Sequence, residues 1–310
     1  MDILLALVML VAGFVALVKG ADWFVDGTSS IAARLGIPQL VIGLTIVAMG
    51  TSAPEAAVSI TASFAGSADI TVGNVLGSNI MNILVILGLA SLFTAIRVGK
   101  STIRVEIPFM IGVSVVILLL GLDGMISRLD GVILWALFLV YLGYLFWMAK
   151  KGNGEDVEEI NADRAIWKSA LLAVIGLALI VLGSDIAVEG ASRLARMMGL
   201  SERLIGLTIV ALGTSLPELC TSVAAARRGN ADIAIGNIVG SNVFNILFVV
   251  GTSSLINPIP YAAFTTDALV AIAAAVLLLI LPLRKKKLTR AGGILMLACY
   301  AAYFFIFLYR

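Results

Sequence analysis

The stretch "GLTIVAMGTSAPE" at residues 43–55 returns 163 residues later as "GLTIVALGTSLPE" at residues 206–218, with 11 of 13 positions identical. A second stretch behaves the same way: "GNVLGSNIMNIL" (73–84) falls on "GNIVGSNVFNIL" (236–247), with 8 of 12 identical. The same shift carries Asp22 onto Asp185, Gly36 onto Gly199 and Asp69 onto Asp232 without a gap. The chain is therefore two copies of one unit, and the fold follows from what one unit is.

Each unit is a set of membrane spans. Apolar residues make up 61% of the 310 and charged residues only 13%. A soluble domain carries about 45–50% and 25%, so the excess calls for lipid as solvent. At roughly 20 apolar residues per span, spans are expected near 3–22, 38–63, 70–93, 105–122, 129–149, 166–189, 203–226, 232–256, 262–283 and 291–309. The opening "MDILLALVMLVAGFVALVKG" lacks a basic leader region and a clear cleavage site, so it reads as the first span. Five spans fall in residues 1–149 and five in 166–310, joined by the short acidic linker 150–165. Five is odd, so the second copy enters the membrane from the opposite side. The expected fold is an all-α integral membrane protein of ten transmembrane helices in two inverted five-helix repeats, a plan that places ions at the midplane between repeats and supports alternating access.

The basic residues are lopsided about this plan. One side holds 15, including Arg97, Lys100, Arg104, Lys150, Lys151, Arg227, Arg228 and the "RKKKLTR" cluster; the other holds 5. Positive residues favour the cytoplasm, which predicts a plasma-membrane protein with both termini outside and the central linker inside.

The repeated motifs place polar groups where lipid penalises them. Pro54 and Pro217 cannot donate a backbone hydrogen bond and crowd the preceding turn, so each helix should kink or break. Carbonyls from Ala48 to Gly50 and from Ala211 to Gly213 are then expected to lose their partners and to line a cavity. Glu55 and Glu218 follow the prolines directly, and a carboxylate at that depth marks a functional site. Thr51 and Ser52 share a helical face with Glu55, as Thr214 and Ser215 do with Glu218. Ser78 and Asn82, and their copies Ser241 and Asn245, offer neutral oxygens four residues apart. Gly73 and Gly77, with Gly236 and Gly240, form small-residue faces for close helix packing. Asn74, Asn79, Asn237 and Asn242 read best as interhelical hydrogen-bond partners. Asp22 and Asp185 lie toward span ends and are expected at the interface or as caps.

Residues 38–93, 204–226 and 231–283 contain no lysine or arginine, so the cargo is a cation. Two carboxylates with hydroxyl, amide and carbonyl oxygens make a hard cage of charge −2, suited to Ca²⁺ or to Na⁺ ions; Mg²⁺ fits less well because it holds its waters. The absence of histidine removes the commonest transition-metal ligand, and Cys220 and Cys299 imply neither a disulfide framework nor zinc. A net charge of +2 gives no ground for a nucleic-acid partner, and no cofactor is called for. One chain supplies both halves, so a monomer suffices.

At these motifs the sequence resembles the Na⁺/Ca²⁺ exchanger branch of the cation/Ca²⁺ antiporter superfamily, over essentially the whole chain. The resemblance implies that Glu55 and Glu218 bind Ca²⁺ with Thr51, Thr214 and the carbonyls of Ala48 and Ala211. Ser52, Ser78, Ser215, Ser241 and Asn82 would complete the Na⁺ positions. It also implies exchange of inward Na⁺ for Ca²⁺ as the first and sixth helices slide against the bundle. K⁺-dependent members carry aspartate where this chain has Asn245, which speaks against K⁺ co-transport. H⁺/Ca²⁺ antiport and a cation channel remain the alternatives, and an intramembrane enzyme the remotest.

Overall fold

The computed structural model describes residues 2–151, 165–199 and 211–308. Its helical segments are α1 (Asp2–Leu35), α2 (Gln39–Thr51 with Ala53–Phe64), α3 (Asp69–Phe93), α4 (Thr102–Asp123) and α5 (Arg128–Lys151). The second half runs α6 (Ile166–Met197), α7 (Ala211–Thr214 with Leu216–Arg227), α8 (Ala231–Ile256), α9 (Ala262–Ile280) and α10 (Arg290–Leu308). Seven of these are long and apolar enough to cross a bilayer; α2 joins them as a bent pair, and α10 is a shorter apolar helix. The start of the 203–226 span and most of the 150–165 linker lie outside the described residues. The chain is an all-α integral membrane protein of ten transmembrane helices in two inverted repeats.

Burial separates the helices into two classes. The most apolar windows of α3 and α8 are 78% and 94% buried, whereas those of α1, α4, α5, α6 and α9 are 22–39% buried. The first pair is the protein's interior; the others turn Leu, Val, Ile and Phe side chains outward, as lipid-facing helices must.

Two expected lengths are corrected. The first span continues to Leu35 rather than ending at 22, and the sixth to Met197 rather than 189. Their second halves mix polar and apolar residues, which lowers hydropathy but leaves helical periodicity intact. At 1.5 Å per residue, α1 is about 51 Å long, more than the hydrocarbon core needs. The two helices pack on one another through a seam of glycines. Gly13, Gly20 and Gly27 are seven apart, and Gly176, Gly183 and Gly190 are their copies under the 163 shift. A Cβ on Gly20 would lie 2.7 Å from the Gly176 carbonyl, and one on Gly183 would lie 2.9 Å from the Gly13 carbonyl. Only glycine permits this approach.

The inversion is visible in two small antiparallel ribbons. Ile96–Arg97 pairs with Lys287–Leu288, and Met125–Ile126 pairs with Ile259–Pro260. Adding 163 to Ile96–Arg97 gives Ile259–Pro260, so equivalent strands sit in different ribbons. Helix α4, 22 residues long, runs between the ribbons and separates them by about 33 Å. Equivalent segments thus occupy opposite ends of the molecule.

Candidate functional site

The two proline motifs break their helices as expected, but at the serine two residues earlier. Ser52 (φ −84°, ψ 6°) and Ser215 (φ −92°, ψ 1°) occupy the same sparsely populated bridge region. The two parts of α2 meet at 49°. Glu55 and Glu218 then sit in the first turn after each break, both about 1% exposed.

The two carboxylates come together. Ser52 Oγ donates to Glu218 Oε1 at 2.8 Å, reaching from the first repeat into the second. Both Glu55 oxygens, Glu218 Oε2, Asn82 Oδ1, Asn245 Oδ1 and Ser215 Oγ are buried with no hydrogen-bond partner among the described residues. Orphaned buried acceptors of this kind are costly unless something else satisfies them. Every one of those six atoms belongs to a residue that the motifs single out.

The helices beneath are held by asparagines related through the repeat. Asn79 Nδ2 donates to the Asn242 carbonyl at 3.1 Å, and Asn242 Nδ2 to the Asn79 carbonyl at 3.2 Å. Asn82 Nδ2 donates to Asn242 Oδ1 at 3.0 Å, while Asn245 Nδ2 donates to Asn79 Oδ1 at 3.2 Å. These bonds fix both amides so that the Asn82 and Asn245 oxygens stay free to accept. Asn74 and Asn237 bind Ser59 and Ser222, each at 2.9 Å, and also reach the Glu55 and Glu218 carbonyls. Each of Asn82 and Asn245 also opens a π-helical turn, Asn82–Leu87 and Asn245–Val250, a local widening common at functional sites.

The remaining expected residues are placed as follows. Thr51 is fully buried; its hydroxyl lies 3.0 Å from Asn237 Oδ1 and 3.1 Å from the Val47 carbonyl. Ser241 is fully buried and Ser78 is 5% exposed. Thr214 is half-buried at the end of the helix that Ala211 opens. Gly236 and Gly240 press against Gly43, Leu44 and Ala48 across the two halves. The equivalent neighbours of Gly73 and Gly77, at 206–211, fall largely outside the described residues.

Two expectations about backbone and charge need correction. The Ala48 carbonyl is not stripped of partners. It accepts the Ser52 N–H at 3.0 Å and faces the hydroxyls of Thr51 (3.3 Å) and Ser241 (3.4 Å), because Pro54 removes the donor for Gly50 instead. In the second repeat the Gly213 carbonyl, which Pro217 deprives, is supplied by Ser184 Oγ at 2.7 Å. The sequence reading missed Ser184, since nothing local ties it to a break 29 residues away. Asp22 and Asp185 are not caps, because α1 and α6 run on past them. Asp22 and Asp26 pair with Arg228, just beyond α7, and Asp185 is exposed.

Comparison with known proteins points to one family. The profile of the family "Sodium/calcium exchanger protein" matches residues 5–147 and 168–309. The chain is 40% identical to the putative antiporter CaxA of Alkalimonas amylolytica, over 97% of this chain and 98% of that one. It is 32% identical to the sodium/calcium exchanger MaX1 of Methanosarcina acetivorans, over 97% and 98%. A solved structure of the sodium-calcium exchanger NCX_Mj superposes with a TM-score of 0.84 at 36% identity, covering 97% of this chain and 98% of that one. The chain belongs to the sodium/calcium exchanger family, and is an exchanger-type antiporter rather than a catalyst.

Proposed function

We propose that this chain exchanges Na⁺ for Ca²⁺ across the plasma membrane by alternating access, with both ions using one cage between the inverted repeats. The observation that carries the reading is the meeting of Glu55 and Glu218, one from each half, joined through Ser52 and surrounded by buried oxygens without partners. No lysine or arginine forms an ion pair with either carboxylate among the described residues. Their charge of −2 therefore calls for cations.

Glu55 and Glu218 supply the charge, and Thr51, Thr214 and the Ala48 and Ala211 carbonyls complete the Ca²⁺ shell, the Ala48 carbonyl through the lone pair that the Ser52 N–H leaves. Ser52, Ser215, Ser78, Ser241, Asn82 and Asn245 provide neutral oxygens suited to Na⁺. A divalent ion and a set of monovalent ions compete for the same oxygens, so each must leave before the other enters. Since the halves are inverted copies, exchanging their conformations turns a site open to one side into a site open to the other. The basic asymmetry of the sequence puts the linker in the cytoplasm and both termini outside. A single chain in the lipid bilayer suffices.

Purified chain in sealed lipid vesicles tests this. Uptake of radiolabelled Ca²⁺ should require an outward Na⁺ gradient. Uptake that follows a pH gradient and ignores Na⁺, or that proceeds without any counter-ion, would contradict it.

A further inference from the structure

A second buried carboxylate lies outside this cage. Glu106 is 1% exposed at the start of α4, in a π-helical turn (Thr102–Glu106) where the Ile107 N–H reaches back to the Thr102 carbonyl. Pro108, two residues on, has no N–H to give the same turn. Ser101 Oγ donates to Glu106 Oε1 at 2.9 Å, and the Tyr144 hydroxyl of α5 donates to the same oxygen. Glu106 Oε2 has no partner among the described residues, and neither do Thr102 Oγ1 and the Tyr141 hydroxyl. Thr102 is fully buried and Tyr141 is 3% exposed.

These orphans share one place. Thr102 precedes Glu106 by four residues, on the same face of the turn. Phe109, three residues after Glu106, stacks on Tyr141 at 5.3 Å between centroids, while Glu106 itself bonds Tyr144. The Tyr141–Tyr144 face of α5 therefore covers the Glu106–Phe109 face of α4. The nearest cation in sequence, Arg104, is exposed, and no ion pair with Glu106 exists among the described residues. A carboxylate without a counter-charge within a membrane protein is expensive, and here its own free oxygen is joined by two unpartnered hydroxyls.

We infer that Glu106, Thr102 and Tyr141 form a second cation site, separate from the transport cage, that takes a monovalent hard cation such as Na⁺ or K⁺. One negative charge with neutral hydroxyl oxygens matches one positive charge; a divalent ion would leave an excess. Thr102 follows the ribbon strand Ile96–Arg97 by five residues, so the site lies at the end of α4 next to that ribbon.

Crystals of the full chain soaked in thallium(I), a monovalent anomalous scatterer, test the inference. An anomalous peak beside Glu106 Oε2 is expected, lost in Glu106→Gln, whatever happens at Glu55 and Glu218. Tyr141→Phe keeps the ring stack and removes one ligand; it should weaken cation-dependent thermal stabilisation about tenfold in apparent affinity. This variant serves if Glu106→Gln fails to fold. No peak at Glu106 in the wild-type chain overturns the inference. So does a stabilisation that answers to pH but not to Na⁺ or K⁺, which would mean that a proton occupies the carboxylate.

Discussion

The two repeats share a plan and differ in its details. Under the 163 shift, Asn79 and Asn242 exchange reciprocal bonds, and the breaks fall at Ser52 and Ser215 with nearly the same backbone angles. Yet Ser52 donates to Glu218, whereas Ser215 Oγ and both Glu55 oxygens have no partner among the described residues. Ser184 supplies the proline-deprived carbonyl of Gly213, but its copy is Ala21, which has no donor for Gly50. Arg228 ties α1 to the loop after α7, and its copy is Ala65. Duplication explains what is shared. If the halves exchange conformations as proposed above, these differences make the two conformations unequal in energy and the transport cycle asymmetric.

The largest effect should come from the carboxylates, which both halves contribute to one cage. Glu55→Gln and Glu218→Gln should each reduce Na⁺-driven Ca²⁺ flux to background, and the double variant should be no worse, because the two act as one unit. Size-exclusion profiles should remain those of the wild-type chain. Retained flux in either single variant would show that the halves do not share a cage.

Ser184→Ala removes the donor to a buried carbonyl and should cost about 1–3 kcal/mol of stability. Ala21→Ser, which restores the symmetry, should cost less than that; thermal unfolding in detergent reads both. Equal losses at the two positions would remove this asymmetry from the account. Smaller again, Ser52→Ala should shift the Na⁺ dependence of exchange more than Ser215→Ala, since only Ser52 holds a carboxylate oxygen. A larger effect at Ser215 would reverse the assignment. Arg228→Ala should be mildest. Its pairs with Asp22 and Asp26 are about a third exposed, so they contribute no more than about 1 kcal/mol and less as salt is raised.

Much of this could be read from the sequence for physical reasons. Lipid forbids polar groups without cause, so a glutamate after a proline stands out at positions 55 and 218, and the exact repeat doubles the signal. What escaped was set by three-dimensional register. The π turns at Asn82 and Asn245 depend on which carbonyl each N–H finds, and no composition rule marks that. Ser184 matters only because α6 lies beside the break in α7. The overlong α1 and α6 escaped because hydropathy locates a bilayer, not the end of a helix. The glycine seam escaped as well: Gly13, Gly20 and Gly27 recur every seven residues, but that spacing lies outside the better-matched motifs.

The central claim is that two carboxylates from inverted halves make one cation cage. Calorimetric titration of Ca²⁺ into the detergent-solubilised chain in Na⁺-free buffer tests it most directly. The account predicts one Ca²⁺ per chain at this cage, abolished by Glu55→Gln alone and by Glu218→Gln alone. Binding of one Ca²⁺ that survives loss of either carboxylate would contradict it.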